Sequence, residues 1–172
     1  HGFWYFEAER SFRHAAMLDP DCAIAYWGLA MANINNAGRA KGFIAEAEER
    51  KASASDRERR YIEAFAAYLK AESGKDKERN EAYTKALEQI CYKYPDDIEA
   101  KAFLGLQLWK NRDAGLPIQS YLAVDALLQQ VLAVEPLHPC HHYVIHLWDY
   151  EQAERALDSA VPEQATRGYD MH

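Results

Sequence analysis

A chain of 172 residues is long enough for one domain with a sizeable core. Hydrophobic residues at 49 % and charged ones at 27 % give the make-up of a globular protein. The net charge of -7 speaks against nucleic acid or an anionic membrane surface as partner, because both reward clustered Lys and Arg. No apolar run approaches the ~18–20 residues that a membrane-spanning helix needs.

The chain opens on His1-Gly2-Phe3 without an initiator Met, so its start is expected to be a processed or trimmed end. The first helical spacing is Ala8, Phe12 and Ala15, at intervals of four, three and five before Pro20. Asp19-Pro20-Asp21 breaks the pattern, and Tyr26, Leu29 and Ala30 follow as a large, an aliphatic and a small residue. Residues 37–72 read as two helices without that signature. Ser55 and Glu58 are spaced as a capping box opening the second of them. The charge run from Glu46 to Arg60 reads as a solvated face with ion pairs four apart.

Beyond a break at Ser73-Gly74 and a polar helix start at Lys75–Arg79, the first register returns. Tyr83, Leu87 and Ile90 precede Pro95, and Lys101, Leu104 and Gly105 follow it. After a break over Asn111–Pro117 comes a third round: Val124, Leu128 and Val131 before Pro136, then His142, Ile145 and His146. Ala153, Leu157 and Ala160, led in by Asp149-Tyr150-Glu151, form a last second-helix signature. Strand signals are nearly absent, and eight or nine helices fit between the breaks.

This pattern resembles the tetratricopeptide repeat, a helical hairpin of about 34 residues. In such a hairpin the small residue admits close helix approach, large ones fill the gap, and proline ends the second helix. The expected fold is therefore all-α: a right-handed superhelix of hairpins in a single domain over 1–172. Repeat-like units are expected near 3–36, 80–111 and 118–160, with inserted helices near 37–72. The chain also resembles a group of bacterial tetratricopeptide repeat proteins of unassigned function. The likeness rests on Leu18-Asp-Pro-Asp-Cys-Ala-x-Ala-Tyr-Trp-Gly28, Asn33-Ile-Asn35, Tyr94-Pro-Asp-Asp97 and above all His138-Pro-x-x-His142-Tyr-x-Ile-His146. It runs to about residue 160 and implies a fragment of a longer solenoid in a bacterial cytoplasm or periplasm.

The histidines carry the chemistry. His142 and His146 lie four apart on one helix face, good geometry for a transition metal such as Zn or Cu, and Asp149 can add a carboxylate from that face. His138 and His146 are separated by about 12 Å along a straight helix, so they do not share one ion, and His138 is expected at the helix start. His146 stands in the register of Ala30 and Gly105, so it is expected to be buried, with its ring nitrogens satisfied by a carbonyl, a carboxylate or a metal. His14, mid-helix beside Ala15, reads as a surface or groove residue. The spacing is not that of a zinc protease, because Tyr143 stands where such a site needs Glu. No catalytic residue is assigned.

Cys22, Cys91 and Cys140 form no CxxC, and Cys22 and Cys91 read as small buried hydrophobes. Cys140 and His141 read as metal-strengthening neighbours or as solvent-facing substitutions. Trp27, Met31, Leu106, Trp109, Tyr143 and Leu147 fall on the face that lines the concave groove in tetratricopeptide proteins, or else pack the core. The expected function is a non-enzymatic scaffold that binds a protein or peptide partner through that groove. The alternative is a metal-binding protein centred on His138, His142 and His146. A third reading is a chiefly structural subunit, held inside a larger complex by the exposed ends of its solenoid.

Overall fold

The structure, a computed structural model, describes residues 1–72 and 74–160. Among them the regular elements are all helical: α1 (Tyr5–Leu18), α2 (Ala23–Ala32), α3 (Ala37–Arg50), α4 (Asp56–Lys70), α5 (Asp76–Lys93), α6 (Ile98–Lys110), α7 (Tyr121–Val134) and α8 (His141–Trp148). A 3-10 turn at Asn111–Ala114 follows α6, and the chain is helical again over 153–160. Successive helices pack on one another, α1 to α4 in order and α6 to α8 in order. The all-α helical-hairpin class is thus the observed one. Ser73, part of an expected break, and 161–172, part of the expected domain, lie outside the described residues.

Local chemistry sets the helix starts. Asn36, Ser55, Asp97 and Ser120 each accept a hydrogen bond from the backbone N–H three residues on, satisfying one donor that a helix start leaves orphaned. The Ser55–Glu58 capping box forms in both directions, with Glu58 N donating to Ser55 Oγ and Ser55 N donating to Glu58 Oε2. Gly115 ends the 3-10 turn at a φ of 73°, where a side chain would be strained.

The chain divides into two compact units: Phe3–Ile90, and Cys91 onward together with His1–Gly2. In the first, Leu29, Ala30, Ile44, Ala47, Ile62 and Phe65 form a closed core. Each large apolar side chain removed from water there contributes roughly 1.5–3 kcal/mol. Gly28 is the close-approach position, since a Cβ built on it would stand 2.3 Å from the Phe12 ring. Glu9 links three helices of this unit, accepting from Arg13 on α1, Asn33 after α2 and Arg39 on α3. In contrast α1 buries none of its own residues and leaves Phe6 and Met17 78 % and 81 % exposed.

In the second unit Ala102, Leu104, Leu128, Val131, Val144 and Leu147 are buried together. Leu128 reaches over Gly105, where an added Cβ would meet its Cδ2 at 2.5 Å, so the small residue serves the role its register implied. This packing fixes α6 against α7 and α8 and places the histidine-bearing turn and helix on that frame. Among the described residues no helix is long and apolar enough to cross a membrane.

Candidate functional site

The expected ligand set of His138, His142, His146 and Asp149 separates into two clusters. On α8, one turn apart, His142 and His146 bring their Nε2 atoms to 3.0 Å, with rings edge to face. His146 Nδ1 lies 3.2 Å from Asp149 Oδ2. An ionised carboxylate only accepts, so His146 donates from Nδ1, and in the neutral ring its Nε2 carries the lone pair. The proton between the two Nε2 atoms then belongs to His142. The carboxylate thus stands behind His146, on the side of the ring away from His142. Asp149 Oδ1 is buried with no hydrogen-bond partner, an uncompensated acceptor beside the pair.

Trp109 holds the other side of His146. The two rings stack at 5.0 Å, and Trp109 Nε1 donates to the His146 carbonyl at 3.0 Å. His146 is not buried as its register suggested, for its side chain is 35 % exposed. Leu157, in the helical stretch that follows, is itself 68 % exposed.

The second cluster gathers around Glu99 at the start of α6. His138 lies in the turn before α8 and is 2 % exposed; its Nε2 is 3.3 Å from Glu99 Oε1, and its Nδ1 accepts from the Cys140 backbone N–H at 3.0 Å. A neutral ring that accepts at Nδ1 carries its proton at Nε2, so His138 donates to Glu99. His1 hydrogen-bonds the other carboxylate oxygen through Nε2, meets the Tyr143 hydroxyl at 2.8 Å through Nδ1, and packs on Phe103. His138 is thus the buried histidine of the three, its tautomer set by backbone. Nothing in the local spacing announces Glu99 or His1, because both join the cluster only through tertiary packing.

Cys140 and His141 are not solvent-facing. Cys140 is 0 % exposed and His141 is buried, donating from Nε2 to the Pro136 carbonyl at 2.9 Å. Burial foremost, with Glu99 and Glu135 nearby, pushes the Cys140 thiol up to about 12. Cys22 and Cys91 are half-buried.

The expected groove residues divide as well. Trp27, Tyr143 and Leu147 are buried and spend their surface inside the fold, Trp27 against Tyr61. Met31, Leu106 and Trp109 are half-buried, and Trp109 is committed to His146. His14 is exposed, as expected. A cleft of about 410 Å³ opens beside His141, Trp148, Asp125 and Asp158, and none of the expected site residues lines it.

Fold and site together define an all-α helical-hairpin protein with histidine–carboxylate clusters in its second unit. No family model, curated protein or solved structure matches the chain.

Proposed function

We propose that this chain is a transition-metal-binding protein of tetratricopeptide type, with His142 and His146 as its ligands. The observation that carries this reading is the 3.0 Å separation of two Nε2 atoms on adjacent turns, with one imidazole already oriented by Asp149. Two imidazole nitrogens on one ion are about 2.9 Å apart in a tetragonal cis arrangement and about 3.3 Å apart in a tetrahedral one. The observed spacing lies close to both, so copper(II) and zinc are both tested. Binding puts a cation in place of the hydrogen bond between the rings: His142 shifts its Nε2 proton to Nδ1, so both Nε2 lone pairs face the ion and no proton is lost from the pair. The Asp149 carboxylate, behind His146, adds negative charge near the pair.

The test is calorimetric titration of chelator-treated protein with copper(II) and with zinc(II). Wild type should bind, while His142→Ala and His146→Ala should each lose the binding and keep native helicity. Unchanged affinity in both variants would refute the assignment.

A second reading, partner binding, is supported by other residues than those the groove pattern named. Phe6 and Met17 lie on one face of α1, three turns apart, and both are exposed. Loss of a co-purifying partner in Phe6→Glu and Met17→Glu, with helicity retained, is its expected signature. Retention in both variants would end it.

A further inference from the structure

The α8 pair is not the only place in the second unit where a nitrogen and a second donor atom meet around one proton. His1, Glu99 and His138 come from three separate stretches of chain, and their ligand atoms all lie within 4.8 Å of one another. Glu99 is half-exposed, whereas His1 and His138 are largely or fully buried behind it, with side-chain exposures of 12 % and 2 %. The cluster is therefore walled on one side and open to solvent on the other. That shape leaves coordination positions for water.

Tautomers decide which of these atoms can take a cation. His138 accepts from the Cys140 N–H at Nδ1, so its Nε2 is a donor and offers no lone pair. Ligating through Nε2 would require the ring to become an imidazolate. His138 is instead an outer residue that donates to Glu99 Oε1 and fixes the carboxylate plane. His1 is different. Its Nδ1 faces the Tyr143 hydroxyl, which accepts as readily as it donates. With Nδ1–H donating to Tyr143, His1 Nε2 presents a lone pair to whatever lies beside Glu99 Oε2.

We infer that His1 Nε2 and Glu99 Oε2 form a second divalent transition-metal site, with Tyr143 and His138 as its outer partners and water completing the shell. One imidazole and one carboxylate make a harder donor set than the α8 pair, suited to zinc, manganese or copper(II). Binding exchanges one proton for the cation: the hydrogen between His1 Nε2 and Glu99 Oε2 leaves to solvent, and the ring proton resides on Nδ1. The site is independent of the α8 pair, since it shares none of that pair's ligands.

The experiment uses copper(II) alone as probe and the His142→Ala/His146→Ala double variant as background. That variant should still bind one equivalent, and its electron paramagnetic resonance spectrum should show one imidazole nitrogen. Adding Glu99→Gln, a near-isosteric change at a half-exposed position, should weaken the remaining binding at least tenfold without loss of helicity; adding His1→Ala should do the same and remove the nitrogen coupling. The inference is overturned if the double variant binds nothing, if its remaining equivalent is indifferent to Glu99→Gln, or if two nitrogens appear. Should wild type bind one equivalent that depends on Glu99 but not on His146, the α8 assignment fails and this one stands.

Discussion

His142 and His146 face each other across one turn of α8 at 3.0 Å, and the carboxylate of Asp149 touches only the far nitrogen of His146. The pair is therefore asymmetric before any cation arrives. One ring is oriented and carries its lone pair inward; the other carries the proton that must shift from Nε2 to Nδ1.

That asymmetry predicts the effect of Asp149→Ala. Without the carboxylate, His146 is free to place its proton on Nε2, and the ring loses its orientation. Outer-shell carboxylates of this kind are worth about 10- to 100-fold in metal affinity. Stability should not fall, because the same substitution removes the buried, unpartnered Oδ1. Copper(II) titration alongside urea unfolding checks both halves. A parallel loss of stability would mean that Asp149 holds the fold rather than the ligand.

Trp109 supplies a built-in reporter. Its ring stacks on His146 at 5.0 Å, close enough for a bound copper(II) ion to quench its emission. Of the four tryptophans, Trp109 should account for most of the copper-dependent quenching. Trp109→Phe should remove that signal while calorimetry still detects binding. Quenching that persists at full amplitude would place the ion elsewhere.

What could be read from the chain was local. Proline positions, the four-three spacing of Ala8, Phe12 and Ala15, and the Ser55–Glu58 box are short-range signals, and helices start or stop where they say. The His142–His146 pair was legible for the same reason, since a four-residue interval fixes the face. The role of Asp149 was not, because spacing gives proximity but not which nitrogen a carboxylate meets. Burial was misread at His146. Its register implied a packed slot, but its side chain is 35 % exposed and stacks on Trp109 instead. Glu99 and His1 carry no local signature at all.

Cys140 should be chemically silent in the folded protein. It is 0 % exposed, and burial with nearby Glu99 and Glu135 holds its thiol near about 12. A thiol reagent at about pH 8 should label the half-buried Cys22 and Cys91 first, with Cys140 reacting only on unfolding. Peptide mapping of the labelled protein decides it. Rapid labelling of Cys140 would contradict the packing around the turn before α8.

Acid should weaken the first unit through Glu9. Burial pushes this carboxyl up, but hydrogen bonds from Arg13, Asn33 and Arg39 outweigh it and hold the group below its ordinary value. A depressed folded value means that the unfolded chain takes up the proton first as pH falls. The contribution is therefore complete above the ordinary Glu range near about 4.3 and is lost as pH drops through the lower folded value. Glu9→Gln should cost about 1 kcal/mol at neutral pH and flatten that acid dependence. Urea midpoints from about pH 3 to 7 for both proteins make the comparison. Identical slopes would show that the three-helix link contributes nothing.

Gly28 tests the close approach of α1 and α2 directly. A methyl there would stand 2.3 Å from the Phe12 ring, well inside contact distance. Alanine is the better helix former by about 1 kcal/mol, so local propensity alone predicts that Gly28→Ala stabilises the protein. The contact predicts the reverse, since overpacking of this kind costs about 1–3 kcal/mol. Phe12 is only half-buried and can swing outward, which lowers the cost but gives up its packing on α2. The net expectation is a loss of about 1 kcal/mol in Gly28→Ala, recovered in the Gly28→Ala/Phe12→Leu double variant, where the smaller side chain leaves room for the methyl. A stabilised single variant would mean that α1 is not seated on Gly28.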